Sequence, residues 1–172
     1  CAFAGRGAPQ SGVDVTRRLT DIGVDDVSIS DTVGKASPDE VDTLLTRLLS
    51  DVPAQRIALH FHDPYGRGIP NVLKSWDMGI RTFDASAGGL GGCPYSPGAT
   101  GNVSTESVVQ ALEARGETTG VDPHKLATAH RHIAPYLIDE LRSKPEQDLP
   151  ACASCEYATE AICCRREASG GA

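Results

Sequence analysis

No apolar run in this chain approaches the ~20 residues that a helix needs to cross a bilayer, which excludes a helical span within it and makes the membrane an unexpected partner. A signal-peptide pattern ahead of the first strand is lacking as well, so a cytoplasmic location is expected. Positive charge is scarce: 16 Lys and Arg stand against 23 Asp and Glu, for a formal net charge of −7. With no basic stripe to neutralise phosphates, nucleic acid is not an expected partner, and a small ligand fits better. An even cysteine framework is also missing. Cys1 and Cys93 stand alone while Cys152, Cys155, Cys163 and Cys164 crowd the end, a distribution that favours reduced thiols over a disulfide scaffold. The first residue is Cys, not Met, so a missing upstream piece is expected.

What remains is ample for a domain with a real core: 172 residues, 40% of them apolar. The segment around which the rest is organised is Ile57–Asp63, a short apolar run ending in His60-Phe61-His62. In an extended strand, alternate side chains share a side, so His60 and His62 face together and Phe61 faces away. Two converging imidazoles can hold a metal. Gly66 and Gly68 loosen the next stretch, and Ile69, Val72, Leu73 and Trp76 then recur at helical spacing. The histidines therefore sit at the carboxyl end of a strand in a strand–loop–helix unit, where α/β folds place their chemistry.

The same unit repeats along the chain. Cys1–Ala4 reads as a short buried strand, residues 5–12 as a loop with Gly5, Gly7, Pro9 and Gly12, and Val15, Leu19 and Ile22 as a helical stripe stopped by Gly23. Val27–Ser30 reads as the next strand, with Asp31 at its carboxyl end. Asp31 either satisfies loop amides or serves the site beside the histidines. Ser37-Pro38-Asp39-Glu40 forms a capping box with proline at the first helical position, ahead of a stripe of Val41, Leu44, Leu45, Leu48 and Leu49. Ile80–Ala85 is a fourth strand. The glycine-rich run from Gly88 to Asn102 lacks the Lys-Ser/Thr of a phosphate-binding loop and does not open a helix as a dinucleotide fingerprint would. It reads as a lid that carries a reactive thiol, Cys93. Ser104 or Thr105 caps a helix bearing Val108, Val109 and Leu112. A last helix runs from about Pro123 to Leu141, kinked at Pro135, with Leu126, Ile133, Leu137 and Leu141 on one side and with solvated or capping roles for His130 and His132. The cysteines of residues 144–172 could in principle bind zinc, although their spacing suits a tetrahedral site poorly.

Three runs, Ser30-Asp31-Thr32-Val33-Gly34, His60-Phe61-His62-Asp63-Pro64-Tyr65-Gly66 and Gly89-Leu90-Gly91-Gly92-Cys93-Pro94-Tyr95, followed by Gly98-Ala99-Thr100-Gly101-Asn102, resemble the 3-hydroxy-3-methylglutaryl-CoA lyases in order and spacing. The likeness covers about Cys1 to Leu126. It implies an α/β fold, the C-terminal half of a (β/α)8 TIM barrel with about four parallel strands, over residues 1–143, followed by a cysteine-containing tail over 144–172. It also implies a Mg²⁺ or Mn²⁺ cofactor held by His60, His62 and Asn102, catalytic roles for Cys93, His60 and Asp31, and a supporting role for Glu106. The implied reaction is cleavage of a 3-hydroxy-3-methylglutaryl thioester to acetyl-CoA and acetoacetate, with an acyl-CoA as the small ligand. The first four strands of such a barrel carry a metal-binding Asp and a catalytic Arg, so the fragment alone is expected to be inactive and to need the N-terminal half of the barrel or a second copy as partner. The alternatives are a Claisen-condensing relative of the isopropylmalate or homocitrate synthase kind, against which the Cys93 lid argues, and a non-catalytic fragment.

Overall fold

The computed structural model describes residues 7–91 and 101–136. Within them the chain runs α1 (Pro9–Asp21), β1 (Val27–Asp31), α2 (Pro38–Leu48), β2 (Ile57–Phe61), α3 (Gly68–Asp77), β3 (Thr82–Asp84), α4 (Thr105–Glu113) and α5 (Pro123–Ile133). The strands form one parallel sheet in the order β1-β2-β3. Parallel neighbours require a crossover, and α2 and α3 supply the two between these strands. The result is an α/β fold in which the expected second, third and fourth strands are present. The expected first strand, Cys1–Ala4, lies outside the described residues, as do most of the lid with Cys93 and the whole tail from residue 144. Among the described residues no helix is long and apolar enough to cross a membrane.

Register fixes what each face of the sheet carries. Ser30 lies opposite His60 and His60 opposite Asp84, so these three share one face. Val27, Ile29, Ile57, Leu59, Phe61 and Phe83 occupy the other, where Ile57, Leu59 and Phe61 join Val41, Leu45, Leu48, Val72, Ile80, Val103, Val108 and Leu112 in the core under the helices. On the polar face Ser28 Oγ donates to Asp84 Oδ2 at 2.7 Å, spanning β2 above the small side chain of Ala58, which is buried.

The helix termini follow local chemistry. At α2 the capping box forms in both directions: Glu40 N–H donates to Ser37 Oγ at 3.3 Å and Ser37 N–H donates to Glu40 Oε2 at 3.0 Å. Asp122 caps α5 by accepting from the amides of His124 and Lys125, and the Lys125 amide bond first of all holds its carboxyl below the usual carboxylate range. Gly79, just beyond the end of helix α3, has a φ of 97° that lets Gly79 N–H reach Trp76 O and Ile80 N–H reach Ser75 O. That closure occupies Ile80, so β3 begins at Thr82 and ends at Asp84 and is shorter than the expected Ile80–Ala85.

Three apolar stripes differ from the sequence reading. Helix α1 starts at Pro9 and contains Gly12, which was expected in a loop; a Cβ on Gly12 would sit 3.4 Å from Leu44 Cδ1, so the glycine is where α1 packs on α2. That contact turns Val13 and Thr16 inward and leaves Val15 and Ile22 exposed. In α3 the deepest line is Gly68, Asn71, Val72 and Ser75, with Ile69, Leu73 and Trp76 flanking it only partly buried. Helix α5 buries no residue fully: Ile133 is exposed, and its α-helical part stops there before a 3₁₀ turn over Ala134–Tyr136, as Pro135 demands. Its half-buried positions are Leu126, Ala127 and His130. His130 is therefore only partly solvated. Its ring lies over Gly88, where a Cβ would come within 2.6 Å of Nε2.

Candidate metal centre

His62 follows the last residue of β2 and stays in line because segment 101–105 crosses the sheet end beside it. Val103 N–H donates to Phe61 O at 2.9 Å and Asp63 N–H donates to Gly101 O at 3.2 Å, so His62 and Asn102 face each other as an isolated antiparallel pair. The same segment is bound to the end of β3 through Ser86 N–H to Val103 O at 3.2 Å and Thr105 N–H to Ser86 O at 2.9 Å. Three of the residues expected at a metal are thus brought together: the rings of His60 and His62 meet edge to face with centroids 4.9 Å apart, and Asn102 is bridged to His62.

Hydrogen bonding decides which atoms of this group can ligate. His62 is buried and its Nδ1 lies 2.7 Å from the backbone oxygen of Asp31. A carbonyl can only accept, so Nδ1 carries the proton and Nε2 keeps its lone pair, the arrangement in which imidazole binds metals. Asn102 Nδ2 donates to Leu90 O at 2.8 Å, which leaves Oδ1 as the ligating atom of the amide. The donor set is two imidazoles and one amide oxygen. Among the described residues no group of three His, Cys, Asp or Glu side chains is gathered, so a hard cation with ~6 ligands would draw the rest from water or from groups outside these residues.

The carboxylates expected near the site are engaged by backbone. Asp31 pairs in register with Phe61, not with His60, so it points away from the polar face. Its carboxylate accepts from the amides of Val33 at 3.4 Å, Lys35 at 3.2 Å and Ala36 at 2.8 Å, and touches the site through its carbonyl on His62. Of the two roles open to Asp31 in the sequence, the amide-satisfying one is what the hydrogen bonds describe. Glu106, in the first turn of α4, receives Gly88 N–H on both oxygens at 3.0 and 2.9 Å, and so holds the turn at the start of the glycine-rich run. Cys93 lies outside the described residues.

The loop between β1 and α2 approaches His62 closely because Gly34 adopts a φ of 67°; a Cβ there would overlap Pro64 Cδ and come within 2.8 Å of His62 O. Sequence reasoning missed this contact, and it missed Asn71 and the Ser28–Asp84 bond. For Asn71 a signal existed: a poor helix former placed between Gly68, Val72 and Ser75 on what becomes the inner line of α3.

Comparison with known proteins places this geometry among relatives. The hydroxymethylglutaryl-CoA lyase of Pseudomonas mevalonii is 41% identical over 157 residues, which is 91% of this chain and 52% of that protein. The solved structure of the hydroxymethylglutaryl-CoA lyase of Pseudomonas aeruginosa superposes with a TM-score of 0.77 at 40% identity, covering 84% of this chain and 48% of that one. An Acinetobacter baumannii HMG-CoA lyase in complex with coenzyme A and 3-methylmalate matches with a TM-score of 0.74 at 32% identity over 88% of this chain and 52% of its own. The chain spans about half the length of the curated relatives it matches. The HMGL-like family model matches residues 1–133, well over half of the sequence, and the chain therefore belongs to the HMGL-like family.

Proposed function

We propose that this protein is part of a metal-dependent carbon–carbon lyase that cleaves 3-hydroxy-3-methylglutaryl-CoA, or a close 3-hydroxyacyl-CoA, to acetyl-CoA and acetoacetate. The observation that carries the reading is the 2.7 Å contact of His62 Nδ1 with the Asp31 carbonyl, which leaves Nε2 for a cation beside His60 and Asn102. Those three residues fit Mg²⁺ or Mn²⁺. A bound divalent cation supplies Lewis acidity toward hard oxygen atoms, as a retro-Claisen cleavage needs where negative charge develops on oxygen.

The chain's own residues divide the remaining work. His60 stands on the polar face between Ser30 and Asp84 and is assigned the proton of the substrate 3-hydroxyl, which it can take only while its one imine lone pair is not on the cation. As the C2–C3 bond breaks, its electron pair passes into the thioester enolate, and the Cys93 thiol is assigned the return of a proton to C2. Asp31 positions His62 through its backbone oxygen, and Glu106 anchors the Gly88 turn from which the Cys93 segment departs. The acyl-CoA substrate is supported by the names of the relatives and by the coenzyme A complex of one neighbour.

The half-barrel reading belongs to the same proposal. Residues 1–143 are taken as the C-terminal half of a TIM barrel and 144–172 as a separate tail, in a cytoplasmic protein. Relatives of about twice the length support this, as does a sheet whose polar face, with Ser28, Ser30, Thr82 and Asp84, is covered by none of the described helices. The N-terminal half, or a second copy, would cover that face, and the 172-residue chain alone is expected to be inactive.

Mn²⁺ titration of the chain tests the centre: the wild type should bind weakly and His62→Ala should lose that binding. Identical isotherms would remove the metal centre. Acetoacetate release by the same chain with Mg²⁺ present tests the half-barrel, and turnover near that of a full-length lyase would refute the need for a further half.

A further inference from the structure

Outside the centre, one buried side-chain polar atom finds no hydrogen-bond partner among the described residues, Oδ1 of Asn71. Asn71 lies in α3 with no exposed surface, one turn from Ser75, whose hydroxyl donates to Asn71 O at 2.7 Å. A buried amide with one unmatched acceptor carries a desolvation cost that no hydrogen bond at that atom offsets. Its persistence in the core needs a reason other than packing.

The amide's other end supplies one. Asn71 Nδ2 donates to Ala36 O at 3.0 Å, Ala36 N–H donates to Asp31 Oδ2 at 2.8 Å, and Asp31 O receives His62 Nδ1–H at 2.7 Å. Three successive hydrogen bonds thus run from the interior of α3, through the loop that follows β1, to the imidazole whose tautomer decides whether Nε2 can ligate. Arg67, at the start of the same helix, holds the neighbouring carbonyl, Lys35 O, at 2.6 Å, but from an exposed position where water competes. Asn71 is the anchor that solvent does not reach.

We propose that Asn71 is a positioning residue: it fixes the loop over residues 31–36 so that the Asp31 carbonyl holds His62 in the Nδ1–H tautomer. This rests on the metal-centre reading only for its consequence, since the tautomer itself is a property of the metal-free chain. Asn71→Leu keeps the approximate size of the side chain and exchanges the unmatched Oδ1 for an unbonded Ala36 carbonyl in the part-buried loop, so it should stay folded while releasing the loop.

The test is ¹⁵N–¹H spectroscopy of the histidine rings in the 172-residue chain without metal, with His62→Ala used to assign the signal. The wild type should show a solvent-protected Nδ1–H for His62. Asn71→Leu should lose that protection and mix the tautomers, and in a parallel titration should bind Mn²⁺ roughly tenfold more weakly, as loss of a ligand-orienting contact does. Asn71→Asp, which cannot donate to Ala36 O, should lose the signal too. Ser75→Ala, which removes another buried hydrogen bond but none in this chain of contacts, should keep it.

An unchanged His62 signal in folded Asn71→Leu overturns the proposal. So does equal loss in Ser75→Ala, or unfolding of both Asn71 variants, either of which makes Asn71 a core residue only. If the wild type shows the protected signal but binds no Mn²⁺, the metal-centre reading fails while the ring signal still decides the role of Asn71.

Discussion

Of the two faces of the β1-β2-β3 sheet, the one under the helices carries Val27, Ile29, Ile57, Leu59, Phe61 and Phe83, whereas the other carries Ser28, Ser30, His60, Thr82 and Asp84. One strand serves both: Leu59 is 3% exposed and His60, its neighbour, is only half-buried. A single peptide unit therefore separates a residue whose environment is hydrocarbon from one whose neighbours are polar. The difference teaches that pleat alternation can sort stability from chemistry within one short strand, so substitutions at adjacent positions should fail in different ways.

The sharpest way to break that contrast is to truncate the neighbours one at a time. Leu59→Ala should cost about 2–5 kcal/mol in urea unfolding, because it empties a filled core position. His60→Ala should stay within about 0.5 kcal/mol of the wild type and yet weaken Mn²⁺ binding. Equal losses of stability from both would mean that the faces are not distinct in energy. A smaller effect is expected where the two functions meet. Gly34→Ala forces a side chain into the left-handed region and against Pro64 and His62 O, and should cost about 3 kcal/mol together with metal affinity. A neutral result in both assays would show that the loop over residues 31–36 does not set the position of His62.

The mildest change concerns the far side of the site. Gly88→Ala meets the His130 ring and should cost about 1–2 kcal/mol, part of which His130→Ala in the same chain should restore by removing the overlap. A double variant no more stable than Gly88→Ala would leave backbone conformation as the whole cause.

Legibility in the sequence tracked the range over which each feature is determined. The capping box of α2 involves residues three apart, and it forms as read. The pairing of His60 with His62 follows from strand alternation and was equally readable. The inward face of α1 was not, because it depends on Gly12 meeting Leu44 of another helix, and helical spacing alone gave the exposed Val15 and Ile22. His130 and Asn71 belong to the same class: each takes its role from a residue more than thirty positions away, Gly88 and Ala36 respectively. Asp31 shows a subtler limit. Its place at a strand end marked it for the site, but the register that turns its carboxylate from His60 toward loop amides is a property of the sheet.

The segment over residues 101–105 is laced to the ends of two strands at once, through Phe61 and Asp63 on one side and Ser86 on the other. For protein engineering this makes it a datum line. Lengthening the chain ahead of Gly101 leaves the alignment of Asn102 with His62 untouched, because that alignment is set downstream of the insertion. One residue added between Gly101 and Ser104 reverses which side chain faces His62. Natural or designed length variation should therefore accumulate on the glycine-rich side of Gly101 and stop abruptly at it.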